Sequence, residues 1–236
     1  MTSKTRMLAL VKAFDAEAAA AALVETPALK EVRDERGRTW LHICCARPPR
    51  SPAEVAASIR TADALIAAGL DISDAAFTEG DWRATPLWCA IGRGRNLALA
   101  EHLLKLGCDR EHCLWAAMFA RDLDAIRLLV RYGAKVDALH EGDTPFLEAI
   151  KWSRFPEAEL FLELGADPDV RDKAGMTALH LLLKKGSEAA HVAMLVRRGA
   201  HGDIPGPDGR TAIEIMRRKK HSDWRRMAEA MASAGP

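Results

Sequence analysis

The stretch AGMTALHLLLKKG, residues 174–186, places a threonine and a histidine at the start of an apolar run that ends in two lysines and a glycine. The same pattern returns in sister copies along the chain, as TWLH at 39–42, TPLW at 85–88, TPFL at 144–147 and TAIE at 211–214. The histidine therefore becomes Trp, Leu or Glu elsewhere, which argues against a catalytic or metal-binding role for His180. The pattern indicates a repeated way of beginning a helix.

The copies keep a regular spacing. Thr144, Thr177 and Thr211 are 33 and 34 residues apart. A second marker, an apolar run that ends in glycine, occurs at Gly69, Gly107, Gly133, Gly165 and Gly199. A period of this length is typical of repeat proteins, in which one small supersecondary unit buries its apolar face only by stacking on its neighbours.

Each copy contains the signals of a helix pair. A glycine two residues before the threonine, as at Gly175, suits a tight turn with positive φ. The threonine can cap the helix that follows, Pro145 suits its first position, and Glu214 completes a capping box with Thr211. A first helix of about eight residues, a turn and a second apolar helix then end at the later glycine.

Two regions depart from the pattern. Residues 46–56, around RPPRSPAE, form an insert that we expect to lengthen the turn between two helices. Residues 108–139 lack the Thr-Pro start, and only a degenerate unit beginning HCLWAAM remains there. These differences fall where loops tolerate insertion and deletion, so they leave the period intact.

Several motifs resemble the ankyrin repeat: GxTxLH at 37–42 and 175–180, TPL at 85–87 and LELGADPDV at 162–170. The resemblance implies an all-α ankyrin-repeat solenoid of about seven stacked helix-turn-helix units, two of them caps, with short β-hairpin-like finger loops. It also implies that His42 and His180, which match the histidine of the family's TPLH motif, are structural hydrogen-bonding residues.

The period divides residues 1–236 as one ankyrin-repeat domain. An N-terminal capping unit covers 5–34 and a C-terminal capping unit covers 207–236. The repeats between them are 35–80, 81–107, 108–139, 140–172 and 173–206.

Composition limits the environment and the partners. The formal net charge is +1, so the chain as a whole has no general attraction to nucleic acid or membranes. Its apolar runs are far shorter than the ~20 residues of a membrane span, and the start carries acidic residues inside its apolar stretch, which argues against a signal peptide. The five cysteines are odd in number and lack a framework spacing. We therefore expect a cytoplasmic protein with reduced thiols and no membrane contact.

Catalytic and metal sites are not expected. His102, Cys108, His112 and Cys113 are the best candidate metal ligands, but their spacing is not that of a zinc site. The chain has no G-x-S-x-G, H-E-x-x-H or P-loop motif. We expect no enzymatic activity, no cofactor and no metal.

The basic run RRKKHSDWRR, residues 217–226, is the main argument for an alternative function. A nucleic-acid-associated protein could use this C-terminal helix, although an exposed terminal helix of a repeat array normally carries charge. A third hypothesis is an effector delivered into another cell, which would also be a binding protein. Nucleic-acid binding is the less favoured alternative.

The resemblance implies that partners bind the concave face, which finger tips and first-helix ends form. The finger positions are Asp81, Trp82, His140, Asp143, Lys173 and Met176. The helix-end positions are Arg47, Arg93, Phe119, Lys151, Trp152, Lys184 and Lys185. Four of these residues, Trp82, Phe119, Trp152 and Met176, are large and apolar, and Lys and Arg surround them, which favours an acidic protein partner. The alternative is that the aromatic side chains pack between neighbouring repeats. We expect the chain to be a monomer.

Overall fold

The computed structural model describes residues 1–76, 78–79, 82–220 and 222–233, and for 78–79 and 82–83 it describes the backbone alone. The described residues are almost wholly helical, and they form seven helix pairs, the number that the sequence predicts. The chain falls into two compact units, Met1–Ala134 and Lys135–Pro236. The division of residues 1–236 as a single domain stays a prediction.

The first unit contains four helix pairs in its described residues. These are α1 (Lys4–Ala13) with α2 (Ala16–Glu25), α3 (Trp40–Ala46) with α4 (Pro52–Ala67), α5 (Pro86–Gly92) with α6 (Leu97–Lys105), and α7 (Cys113–Ala120) with α8 (Leu123–Arg131). A 3₁₀ helix covers Pro27–Glu31, and strands β1 (Thr78–Glu79) and β2 (Trp82–Arg83) pair antiparallel. The first helices α1, α3, α5 and α7 contact one another in sequence, and α2, α4 and α6 form a second layer. Leu41, Leu65, Leu87 and Leu103 are buried between the layers.

The second unit contains three pairs. These are α9 (Pro145–Lys151) with α10 (Phe155–Glu163), α11 (Ala178–Lys185) with α12 (Ala189–Arg197), and α13 (Ala212–Arg217) with α14 (Ser222–Ser233). Again the first helices α9, α11 and α13 make one layer and the second helices α10, α12 and α14 the other. Isolated β-bridges close the finger loops at His140–Asp143, Arg171–Thr177 and Pro205–Thr211. The short hairpin-like fingers predicted from the sequence are therefore present in this unit.

The predicted helix starts are largely confirmed. The hydroxyl oxygen of Thr144 accepts a hydrogen bond from the backbone N–H of Leu147, and Thr211 and Glu214 form the predicted capping box. Gly175 has the expected positive φ, +80°. Thr177 differs, because its hydroxyl bonds to a histidine side chain and not to a backbone N–H. A side-chain cap on the backbone thus begins α1, α5, α9 and α13. The hydroxyl of Thr39 bonds to a histidine as that of Thr177 does, and α7 has no side-chain cap.

The two TPLH-like histidines have the structural role that the resemblance implies. Nε2 of His180 lies 3.1 Å from the carbonyl oxygen of Arg210, so Nε2 carries the proton and Nδ1 accepts from the Thr177 hydroxyl at 2.8 Å. His42 makes the matching bond to Thr39 at 2.8 Å, and its Nε2 faces the carbonyl oxygen of Ala84 at 3.1 Å. Each imidazole therefore joins its own repeat to the next finger.

The insert at 46–56 lengthens a helix more than it lengthens a turn. Only residues 47–51 separate α3 from α4, whereas α4 has 16 residues and α6, α8, α10 and α12 have nine each. Ser51 caps α4 by accepting from the N–H of Glu54, and Pro52 occupies its first turn. The turn is longer than in the other helix pairs of the described chain, as expected, but most of the insert lies in α4, because these cap residues begin the helix early.

Candidate partner-binding surface

The first unit carries five of the predicted contact residues. Arg47 and Arg93 follow the last residues of α3 and α5, and Phe119 lies in the last turn of α7. Phe119 is 41% exposed and Arg93 is exposed. Asp81 lies outside the described residues, as does the side chain of Trp82.

Arg47 is engaged within the protein. Its two terminal nitrogens each donate to a carboxylate oxygen of Glu54 at 3.2 Å, which is a forked arrangement. Its guanidinium also lies 4.3 Å from the centre of the Phe14 ring. The side chain is half-buried, so its charge is largely compensated before any partner binds.

The second unit contains the other eight predicted contact residues. Lys151 and Trp152 lie at the end of α9, and Lys184 and Lys185 close α11. His140, Asp143, Lys173 and Met176 lie in the two finger loops that precede these helices. The structure therefore places all eight on first-helix ends and fingers of one unit.

Lys151 ties two finger loops together. Its ammonium nitrogen lies 2.6 Å from Oδ1 of Asp143 and 3.3 Å from Oδ2 of Asp172. Burial opposes the charged form of Lys151, but the two carboxylates outweigh burial and raise its pKa. Burial likewise opposes ionisation of Asp172, whereas the backbone N–H of Met176 and the ammonium of Lys151 lower its pKa. Lys151 is thus a compensated, half-buried cation.

Lys185 binds the end of the neighbouring helix. Its ammonium nitrogen donates to the carbonyl oxygen of Lys151 at 2.8 Å and to the hydroxyl of Ser153 at 2.8 Å, with Ile150 O at 3.4 Å. Carbonyl groups at a helix C-terminus have no partner in their own helix and attract cations. Lys184, the adjacent lysine, is exposed as Lys185 is, but among the described residues its ammonium has no such hydrogen bond. Two lysines that look alike in the sequence therefore have different surroundings.

Trp152 is the largest exposed apolar side chain of this unit in the described residues, at 59% exposure. Its indole N–H donates to Oε1 of Glu148 at 2.6 Å, so the ring is held in one orientation by its own helix. Met176 is half-buried. An exposed and oriented indole is the kind of side chain that anchors protein interfaces.

A cleft of about 400 Å³ adds residues that the sequence analysis missed. Lys184 and Met176 line it together with Pro207, Arg210 and Ile215. Pro207 and Arg210 lie 34 residues after Lys173 and Met176, which are the finger positions of the previous repeat. The repeat register could have identified both residues, but the predicted contact set ended before residue 207.

The four candidate metal ligands do not form a metal site in the structure described. His102 lies 2.6 Å from a carboxylate oxygen of Asp63, and Cys108 and Cys113 are buried. Burial raises the pKa of Cys108 to about 12 and that of Cys113 well above its usual value. Among the described residues, no three His, Cys, Asp or Glu side chains are grouped as a metal ion requires.

The basic C-terminal run is partly engaged as well. Lys219 lies over the Trp224 ring, 4.8 Å from its centre, and Arg226 pairs with Asp223 one turn earlier. No helix in the described ranges combines the length and the apolar character that crossing a membrane needs.

Comparisons with known proteins agree on the repeat. The family model for ankyrin repeats (many copies) matches residues 147–195. The chain is 29% identical over 129 residues to the ankyrin repeat protein FPV022 of fowlpox virus (strain NVSL), and 32% identical over 108 residues to ankyrin repeat and SOCS box protein 6 of Homo sapiens. These matches cover 53% and 42% of this chain but only 21% and 26% of the two relatives.

Solved structures extend the likeness over nearly the whole chain. The ankyrin repeat domain of Bcl-3, a member of the IkappaB protein family, superposes with a TM-score of 0.74 at 18% identity and covers 97% of this chain and 100% of that domain. The human ASB11 ankyrin repeat domain gives a TM-score of 0.64 at 19% identity, with 91% of each chain covered. At such low identity the likeness establishes the fold.

Proposed function

We propose that this chain, which is an ankyrin-repeat protein, is a non-catalytic scaffold that binds another protein through finger loops and first-helix ends, the concave face of the fold. Ankyrin-repeat domains generally mediate protein–protein interaction. The observation that carries the proposal is Trp152, a 59% exposed indole held by Glu148 at the end of a first helix. Burying such a ring in a complex is a large source of affinity.

The charges near Trp152 favour an acidic partner. Lys173 and Lys184 are exposed in the same unit, and neither has an ion pair among the described residues. Two carboxylates compensate the charge of Lys151, whereas Lys185 keeps its charge because its partners are uncharged oxygens, so the attraction comes from Lys173, Lys184 and Lys185. Exposed charges at the edge of an interface mainly steer the encounter of the two proteins.

The proposal also covers the localisation, the oligomeric state and the ligand class of the protein. We propose a cytoplasmic monomer without cofactor or metal, in line with the near-neutral net charge and the buried thiols. Nucleic acid is not the proposed ligand, because the formal net charge of +1 gives the chain no general attraction to it and an exposed terminal helix of a repeat array normally carries charge. A steep loss of duplex DNA binding with salt would favour that alternative instead.

A pull-down from native lysate, followed by binding kinetics on the retained partner, tests the proposal. Trp152→Ala should accelerate dissociation, since it removes an anchor that only the complex buries fully. Lys184→Glu should slow association with an acidic partner and lose that effect at high salt. Both variants should melt like the wild-type protein.

Matched controls separate this surface from general effects. Val24→Ala removes another exposed apolar side chain, and Lys30→Glu reverses the charge of another exposed lysine that has no ion pair among the described residues. Neither control should change the binding kinetics. The proposal fails if Trp152→Ala unfolds the protein, or if the partner is retained equally by Trp152→Ala and the wild type.

A further inference from the structure

A groove of about 600 Å³ lies in the first unit, between α1, residues 32–40 and α3. Its volume falls within the range of about 300–1,000 Å³ that is usual for ligand-binding clefts. Of the residues assigned above to partner binding, Arg47 lines this groove. The groove is therefore a separate feature from the surface around Trp152.

Apolar side chains form the less exposed part of the groove. Leu8, Val32 and Ile43 are half-buried, and Trp40 is nearly fully buried. The indole N–H of Trp40 donates to the carbonyl oxygen of Leu29 at 2.7 Å, which fixes the ring against the groove. These residues offer an apolar contact for one bulky side chain.

Five cationic side chains and one carboxylate line the same groove. Three of the cations are arginines that already have carboxylate partners: Arg33 with Asp74 at 2.6 Å, Arg38 with Asp34 at 2.7 Å and Arg47 with Glu54 at 3.2 Å. These ion pairs compensate the charges of the arginines within the protein. The three arginines therefore contribute surface to the groove but little net positive charge.

Lys4 and Lys12 are the other two cations. They lie eight residues apart on α1, with Leu8 between them, so all three side chains share one stripe of the helix. Both lysines are exposed, and neither has an ion pair among the described residues. The groove thus combines an apolar part with two uncompensated positive charges along one edge.

We infer that this groove binds an acidic segment of a partner protein that carries one bulky apolar side chain. The apolar residue inserts beside Leu8, Ile43 and Trp40, and carboxylates on either side of it meet Lys4 and Lys12. Two uncompensated cations suit a short acidic segment but are too few to follow a nucleic-acid backbone, which needs one cation for each phosphate neutralised. The inference rests on the proposed function of protein binding and adds a second contact site to it.

To test this, a library of random twelve-residue peptides is selected for binding to the immobilised full chain. The enriched peptides are then synthesised and their affinities measured. We expect enrichment of Asp and Glu around one aromatic or large aliphatic residue. Lys4→Glu combined with Lys12→Glu should weaken binding of these peptides about tenfold, since each exposed charge contact is lost and replaced by repulsion. Replacing the apolar residue of the peptide by alanine should also weaken binding.

The matched control is Arg6→Glu combined with Lys30→Glu. It makes the same change in net charge on exposed residues of α1 and the adjacent 3₁₀ helix that do not line the groove. This control should bind the peptides like the wild type. Equal weakening in both double variants, or enriched peptides without an acidic excess, would overturn the inference.

Two further outcomes separate the possible causes of failure. If the double variant at Lys4 and Lys12 loses binding to duplex DNA or to anionic lipid vesicles, and not to the peptides, the groove does not serve a protein partner. If a protein captured through Trp152 binds that variant with unchanged affinity and no peptide depends on the two lysines, the groove inference fails while the proposed function stands.

Discussion

Helices α7 and α9 are both first helices of a pair, but they begin in different ways. Before α9, Thr144 caps the backbone and Pro145 occupies the first turn. Before α7, His112 adopts a left-handed conformation with φ +61°, and no side chain caps the helix. Burial compensates in α7, because residues 113–118 are all buried. Local signals are therefore sufficient but not necessary for a first helix, provided that neighbouring helices bury most of its residues.

The contrast extends to the units that contain these helices. The second unit repeats the same glycine and threonine signals before each of its three first helices. The first unit includes a long α4, an uncapped α7 and close contacts of backbone with backbone. We expect substitutions in the first unit to act mainly through tertiary contacts and those in the second unit mainly through local conformation.

The largest effect is expected at Gly94, in the turn between α5 and α6. A Cβ atom there would lie 2.1 Å from the carbonyl oxygen of Cys45, so the backbone must move. Gly94→Ala should lower the free energy of unfolding by about 3 kcal/mol. Gly175→Ala in the second unit meets no contact closer than 3.8 Å and changes only an unfavourable φ, at a cost of about 1 kcal/mol.

Urea unfolding of the two alanine variants measures this difference. Equal losses at Gly94 and Gly175 would contradict the distinction between tertiary and local control. A wild-type midpoint for Gly175→Ala would show that the turn before α11 tolerates a side chain.

A smaller effect is expected at the end of α11. Lys185→Ala removes the hydrogen bonds to Lys151 O and Ser153 Oγ and should cost about 1.5 kcal/mol, given that the ammonium is partly exposed. Lys184→Ala should change stability by less than about 0.5 kcal/mol, since its side chain is solvated. Thermal melts of both variants provide the measurement. A larger loss for Lys184→Ala would reverse the roles assigned to the two lysines.

The comparison of α7 with α9 can be tested by hydrogen exchange. A missing cap costs about 1 kcal/mol, so amides in the first turn of α7 should exchange roughly fivefold faster, after correction for sequence, than those in the first turn of α9. The buried residues later in α7 should be protected like their counterparts. Equal protection in the two first turns would show that burial replaces the cap completely.

The smallest effect concerns pH and His42, which is fully buried in the first unit. Burial lowers the pKa of this imidazole below its usual value of 6.5, although the nearby Asp74 opposes that shift. The unfolded chain therefore takes up the proton first, and stability that is present above pH 6.5 is lost as the pH falls through the folded pKa. Acidification should thus lower the urea midpoint, and less so in His42→Gln.

Comparing midpoints between about pH 7.5 and about pH 5.5 brackets the usual titration range of histidine. The measurement is the difference between the wild type and His42→Gln over this range, which cancels the contributions of other groups. If His42→Gln shows the full acid sensitivity of the wild type, His42 is not the responsible group.

The sequence by itself determined the repeat, its period and the main helix boundaries. Thr144, Thr211 and Gly175 act over a few residues, so their capping and turn signals can be identified along the chain without knowledge of distant contacts. The sister copies also argued against a catalytic role for His180, because they replace it with residues of other chemistry, and the resemblance to the ankyrin repeat implied its structural role.

Only the tertiary structure decided which charges are available and where the backbone is closely packed. Lys184 and Lys185 are adjacent in the sequence, but Lys185 reaches carbonyl groups 34 and 35 residues away. Gly94 looks like an ordinary turn glycine, yet it lies against the carbonyl of Cys45, and Lys4 and Lys12 flank a groove that α3 completes. These properties depend on contacts between repeats, and their distances are set by how the helices stack and not by the local pattern of any one repeat.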